Sequence, residues 1–325
     1  MATEVVRARH LAIPPSMFGI PFGIAALSGV WRISGDHWAA LVADALAAVS
    51  ALLTLALVVP WLIELLRHER VLAQDLRDPV VGPFVPVAAI TPMLLSAALQ
   101  ERSDILARTL VAAFAFLTLV GGLFVVIAWL ATSLPLSSYH PGFYLPTAGG
   151  ALLTAQCVAA FDWLYLARTL FFIGVAAWLI LGVVTSLRLT RTPLPPSLRP
   201  VVVIELAAPA LASNTYLVVF NHYDQYAVAL TATTAIMALV QVAIIPYFRG
   251  SSFGVAFWSA AFSISTTAAL AVRWIDHEEP TRPALWVALA LTLATGVVVL
   301  LTFATVSAVR AGRFFPVAPR SAPSD

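Results

Sequence analysis

Lysine is absent from the 325 residues, so all 18 basic residues are arginines. A phosphate-loop lysine, a Schiff-base lysine and a pyridoxal anchor are thereby excluded, and no ATPase within the chain drives whatever it moves. The single cysteine, Cys157, lies in an apolar run, which excludes an intrachain disulfide and every multi-cysteine metal or iron–sulfur site. The six histidines, at positions 10, 37, 68, 140, 222 and 277, show no ligand spacing, so neither a metal nor a cofactor is expected. Charge is scarce too: 10% of residues are charged and 61% are hydrophobic, against about 25% charged in an ordinary soluble domain. No soluble fold hides that much apolar surface.

What the chain does have is long hydrophobic runs. A hydrocarbon core about 30 Å thick takes about 20 apolar residues at 1.5 Å each. Runs bounded by charges fall at 11–32, 38–66, 81–100, 105–131, 143–161, 163–186, 201–220, 225–248, 253–275 and 283–309, which predicts an all-α integral membrane protein of ten spans. The chain then divides into an N-terminal segment, 1–10, a ten-helix transmembrane domain, 11–309, and a C-terminal tail, 310–325. The first run is too long and too rich in proline for a cleaved signal and is read as a retained span.

Orientation follows from the arginines. With the N-terminus inside, Arg7, Arg9, Arg67, Arg70, Arg77, Arg188, Arg191, Arg199, Arg249, Arg310, Arg313 and Arg320 are cytoplasmic, and Arg32, Arg102, Arg108, Arg168, Arg273 and Arg282 lie outside. Excess positive charge marks the cytoplasmic side. Both termini are therefore expected in the cytoplasm of a multi-pass protein of the cell membrane.

Prolines able to break a helix fall in the odd-numbered spans, at Pro21, Pro92, Pro146 and Pro209, whereas inside the even spans Pro60 and Pro246 lie near the cytoplasmic ends. Proline removes a backbone donor, and in lipid the freed carbonyl must be satisfied by protein or by water in a cavity. Small residues gather in the same spans, among them Gly19, Gly23, Gly149 and Gly150. The expected architecture is five consecutive helical hairpins, with proline-kinked odd helices around a central pore and straighter even helices outside. Tight helix packing alone uses the same residue types, so both readings stay open on pattern.

Four stretches carry a resemblance. They are IPPSMFGIPFGIAAL at 13–27 followed by Trp31-Arg32, HPGFYLPTAGG at 140–150, Arg199-Pro200 leading to LAAPA at 206–210, and FWSAAF at 257–262. In order, on odd spans and over essentially the whole chain, these resemble the tellurite-resistance and dicarboxylate transporter family, the TehA-like proteins that include the plant guard-cell slow anion channels. The resemblance implies ten helices in five hairpins around a central pore, a homotrimer with one pore per protomer, and Phe262 as the gating phenylalanine. Two positions depart from the pattern. Ser263 stands where many members carry proline or glycine, and Glu205 is an acid not expected in a simple anion path.

Phe262 falls near mid-depth of the ninth span, where a hydrophobic constriction stops ions without any charge; helix packing uses phenylalanine equally well. The pore-lining or kink set on the odd spans is Gly19, Pro21, Gly23, Pro92, Pro146, Gly149, Gly150 and Pro209, together with Ser263. Glu205 and Asp44 are the acids well inside spans, and such groups are functional hypotheses by default. Glu205 reads as a proton-coupling site, as half of an ion pair, or as a water-facing or neutral carboxyl. Arg108 and Arg168, about one turn inside the outer ends of their spans, either draw anions to an outer mouth or snorkel to the interface.

The expected activity is a channel or uniporter passing small inorganic or carboxylate anions down their electrochemical gradient. The alternative is a coupled carrier or exporter of C4-dicarboxylate, sulfite or tellurite-related oxyanions. An enzyme needs converging acid, base or metal groups, which the spans do not offer. The lipid bilayer, the anion and, by resemblance, two further copies of the chain are the expected partners; nucleic acid is not.

Overall fold

The computed structural model describes residues 13–35, 37–68 and 70–314; the chain termini, and with them the predicted side of residues 1–10 and of most of the C-terminal tail, lie outside the described residues. All regular structure among these residues is helical. In chain order the α-helices are α1 (Gly19–Ile33), α2 (His37–Arg67), α3 (Arg70–Arg77), α4 (Val87–Ala97), α5 (Asp104–Thr132), α6 (Gly150–Ala159), α7 (Leu164–Arg191), α8 (Ile204–Phe220), α9 (Gln225–Ala243), α10 (Ser259–Glu278) and α11 (Pro283–Arg310).

Local chemistry sets where these helices begin and end. Ser103 caps α5 by accepting the Leu106 N–H at 3.4 Å. Asp224 caps α9 by accepting from the Tyr226 and Ala227 N–H groups at 3.0 and 3.1 Å, satisfying donors that the first turn leaves free. At the other ends, Asn221 and Glu279 turn into the left-handed region, with φ of 53° and 42°, and terminate α8 and α10.

Among the described residues eight helices are long and apolar enough to cross a membrane, or nine if Val71–Arg77 and Gly82–Ala97, bent by 107°, count as one. Two of the ten expected spans fall short of that standard. The third has only the 11-residue α4, entered through a 3₁₀ turn at Gly82–Phe84. The fifth is broken into a 3₁₀ turn at Pro141–Tyr144, a π-helical turn at Leu145–Gly149 and α6. Its break is held from both sides. A Cβ at Gly122 on α5 would overlap the Pro146 carbonyl, and one at Gly174 on α7 would stand 2.6 Å from Leu152 Cγ, so both glycines let neighbouring backbones close on the segment.

Burial divides the long helices into two classes. Within Pro15–Ile33, Arg199–Phe220 and Val255–Glu278 the buried share is 56, 78 and 50%, whereas in His37–Arg67, Asp104–Thr132, Leu164–Arg191, Gln225–Ala243 and Pro283–Arg310 it is 17 to 28%. The second class exposes Leu52, Phe116, Ile180, Leu239 and Phe303. In water such surfaces would drive aggregation; against lipid tails they need no further cover. The molecule is a multi-pass membrane protein, and among its long helices the first, seventh and ninth spans are the more buried.

Candidate functional site

A cavity of ≈ 350 Å³ lies among the interior segments. Its wall takes residues from the first, third, fifth, seventh and ninth segments, among them Ala25, Leu94, Cys157, Leu211 and Phe262, and none from the five lipid-exposed helices. On α10 the lining positions are Phe262, Ser265, Thr266, Ala269 and Arg273, the three-and-four spacing of one helix face. At 1.5 Å per residue they extend over about 16 Å, about half of a hydrocarbon core. On α1, α4, α6 and α8 the wall draws on the C-terminal part, reaching Ile33, Ala98, Ala160 and Val218.

Phe262 is 7% exposed and stacks on Phe22 of α1, ring centroids 4.2 Å apart and planes at 18°. A close approach of the two helices sets up that stack. A Cβ at Gly23 would stand 2.5 Å from Ala261 Cβ and 3.5 Å from the Trp258 ring, so only glycine lets α1 lie this near α10. Trp258, one turn before the phenylalanine, is buried and donates its indole N–H to Thr305 on α11 at 2.9 Å, which ties α10 to its outer neighbour.

Among the described residues the cavity wall is mostly apolar, with a few polar groups and no acid. Asn214 donates both amide hydrogens to backbone, to Ala210 O at 2.9 Å and Thr266 O at 2.8 Å. Gln156 donates to Thr215 at 2.8 Å, and Ser28 to Ala43 O at 2.8 Å. The Ser265 hydroxyl is buried with no hydrogen-bond partner among the described residues. Two arginines border the cavity at the ends of α1 and α10. Arg32 pairs with Asp44 of α2 at 2.6 Å, and the second oxygen of Asp44 takes Arg102. Arg273 has no ion pair among the described residues, and its Nε is buried without a partner.

Of the residues that the sequence singles out, Phe262 borders the cavity; Gly19, Pro21, Gly23, Pro92, Pro146, Gly149, Gly150, Pro209 and Ser263 do not. Ser263 turns back onto Ser259 O of its own helix at 2.9 Å. The carbonyls of Pro21 and Pro92 accept hydroxyls, from Ser50 at 2.8 Å and Ser96 at 2.6 Å. Glu205 accepts the Tyr144 O–H at 2.9 Å and borders a separate cleft, lined by Trp178, Gly182, Ser186 and Met237 on the outer side. Arg108 pairs with Asp104 at 3.2 Å and lies over the Phe161 ring, while Arg168 lies over Phe220; neither borders the cavity.

Arg32, Arg273, Gln156 and Asn214 enter the wall without having been singled out. For the two arginines a signal was available, since both sit at the C-terminal ends of odd-numbered runs. Among the described residues no group of three or more His, Cys, Asp or Glu is placed to hold a metal ion.

His140, at the start of the fifth segment, is a buried structural group. Its Nδ1 accepts the Gly142 N–H at 3.1 Å, and its Nε2 lies 2.9 Å from Pro79 O. An Nδ1 that accepts leaves the proton on Nε2, which donates to the carbonyl. Protonating Nδ1 breaks the first bond, and burial pushes the imidazole pKa down to about 4. A Cβ at residue 142 would stand 2.6 Å from His140 Cε1, so the glycine is part of the lock.

A family model described as voltage-dependent anion channel, SLAC1, matches residues 12–307. A tellurite resistance protein TehA homolog of Haemophilus influenzae is 24% identical over 265 residues, which cover 79% of each chain. Two Arabidopsis thaliana proteins match over shorter stretches. The guard cell S-type anion channel SLAC1 is 29% identical over 161 residues, 48% of this chain and 27% of that one. The S-type anion channel SLAH3 is 29% identical over 136 residues, 41% of this chain and 21% of that one. The matched stretches thus take in less than a third of either plant channel.

Proposed function

The chain belongs to the SLAC1 family of voltage-dependent anion channels, and from that premise we propose that it is a passive channel or uniporter for small inorganic or carboxylate anions, gated by Phe262. The observation that carries this reading is the central cavity, walled by all five odd-numbered segments, free of acids among the described residues and bordered by Phe262. A wall of helix dipoles, amides and hydroxyls binds anions lightly enough to release them. At the end of such a path the stacked Phe22 and Phe262 rings form a constriction that resists wetting.

In this reading the short third and broken fifth segments complete ten crossings in five hairpins, both termini face the cytoplasm of a cell-membrane protein, and three copies assemble with one pore each. Reporter fusions in 187–200 should then read cytoplasmic and those in 221–224 external, and mass measurement in a mild detergent should return a trimer. The coupled-carrier alternative rests on Glu205. Its position on the outer cleft, away from the central cavity, supports passive passage; a proton dependence of flux that Glu205→Gln abolishes would reverse that preference.

The direct test is ion replacement on purified protein in liposomes, comparing chloride, nitrate, sulfite and malate. Phe262→Ala should raise flux markedly with assembly intact, and Phe262→Leu should raise it less, because part of the plug remains. If the ring only packs, truncation leaves a cavity and costs stability with no gain in flux. A destabilised Phe262→Ala with unchanged or lower flux sinks the gate.

A further inference from the structure

We propose that Arg273 is the site at which the cavity holds a single monovalent anion, of the size of chloride or nitrate, at the end away from Phe262. The inference rests on reading the cavity as the anion path and adds to it a place and a charge. An arginine stays protonated inside a protein. A buried charge with no partner costs several kcal/mol, and a partner of opposite sign relieves that cost. Arg273 lacks such a partner among the described residues. Its Nε is buried without a hydrogen bond. The Tyr223 hydroxyl donates to its backbone oxygen, not to its side chain, and Asp276, one turn further on, is exposed and makes no ion pair with it.

The other arginine on the wall serves as an internal control. Arg32 also borders the cavity and likewise has a buried Nε without a hydrogen bond, but Asp44 stands 2.6 Å from its guanidinium, so its charge is answered within the protein. No acid among the described residues lines the cavity, and the charge on Arg273 is left for something that arrives from solvent. One unanswered positive charge matches one negative charge. A divalent sulfite or dicarboxylate would keep half of its own charge in a mostly apolar chamber, which is why the site favours a monovalent ion. The unpartnered Ser265 hydroxyl, two turns nearer Phe262 on the same face, offers the ion its next donor.

The test uses the purified full chain in detergent, with thermal unfolding followed in potassium gluconate and in increasing potassium nitrate at constant ionic strength. Liposome flux is measured in parallel. Wild type should melt at higher temperature as nitrate rises, with saturation. Arg273→Gln should lose that saturable shift, and Arg273→Lys should retain part of it. The control Arg249→Gln, exposed and off the cavity, should behave as wild type. In gluconate alone Arg273→Gln should melt at or above the wild-type temperature, because a half-buried charge without an ion pair among the described residues has been removed.

A nitrate response unchanged in Arg273→Gln overturns the site. So does an Arg273→Gln that melts below wild type in gluconate, since the guanidinium would then be satisfied by the protein itself. If wild type passes anions yet shows no saturable nitrate shift, the site is lost and anion passage stands. If wild type neither passes anions nor responds to nitrate, the parent reading fails with it.

Discussion

The two ends of the interior segments are built oppositely. Toward their N-terminal ends they are filled: Phe18, Phe22, Val87, Ile90, Tyr144, Leu145, Val201 and Ile204 form one continuous buried core. Toward their C-terminal ends the same segments stand apart around a chamber of ≈ 350 Å³. Helix α1 shows the change within two turns. A Cβ at Gly23 would meet Ala261 at 2.5 Å, whereas one at Gly29 meets nothing within 4 Å. Phe22 and Phe262 stack where the filled part gives way to the hollow one. The aromatic pair thus marks the boundary between a closed part of the bundle and a hollow one.

The largest expected stability effect belongs to the filled end and to acid. Folded His140 stays neutral down to about pH 4, while the same imidazole in the unfolded chain titrates at 6.5. Between those values the unfolded state binds a proton that the folded state lacks. Stability is therefore full above pH 6.5, falls as pH drops, and levels out below about pH 4, with a total loss of about 3 kcal/mol. Thermal unfolding from pH 7 to 4 should show this slope, and His140→Gln should flatten it. The Tyr216 hydroxyl, donating to Asp224, holds that carboxyl below its usual range, so its contribution is lost at lower pH than the histidine window. An equal slope in His140→Gln would mean that the ring does not lock the fifth segment.

A pair of identical substitutions tests the contrast itself. Gly23→Ala forces a methyl against Ala261, whose own Cβ is fixed to the α10 backbone, so the helices must part, at a cost of about 2 kcal/mol. Gly29→Ala adds a methyl to open space and should stabilise the helix by up to about 1 kcal/mol. Measured melting temperatures should move in opposite directions. Two losses of similar size would mean that the hollow end closes in solution.

Much of the fold was legible because spans in lipid are bounded by charge. The run 38–66 became His37–Arg67, and 201–220 became the last part of Arg199–Phe220. The run 225–248 lost its end, since α9 stops at Ala243 and Pro246 sits in a separate 3₁₀ turn at Ile245–Phe248. Pro146 marked a break in the fifth segment, but its form was not legible: the π turn depends on Gly122 letting α5 close on the Pro146 carbonyl, a fit between distant stretches that hydropathy does not encode. The site divides in the same way. Phe262 stood out through the family resemblance, but which arginine is answered depends on what each helix faces. Arg108 found Asp104 four residues away and Arg32 found Asp44 across a hairpin, while Arg273 found none among the described residues. Proximity in sequence distinguishes only the first.

The smallest expected stability effect comes from Asp44 and separates folding from access at the hollow end. Side-chain exposures of 23% for Arg32, 60% for Arg102 and 31% for Asp44 make this a partly solvated cluster, and such pairs contribute under about 1 kcal/mol. Asp44→Asn should therefore melt within a few degrees of wild type. Its effect on flux is larger in kind, because Arg32 borders the cavity and loses the carboxylate that answers it. A second unanswered positive charge at the vestibule raises the local anion concentration, and salt screens that attraction over a Debye length of about 8 Å at physiological ionic strength. Flux through Asp44→Asn should thus exceed wild type most at low ionic strength and converge on it at high ionic strength. A ratio independent of salt, or a variant that no longer folds, would show that Asp44 acts on the helix ends and not on the field at the mouth.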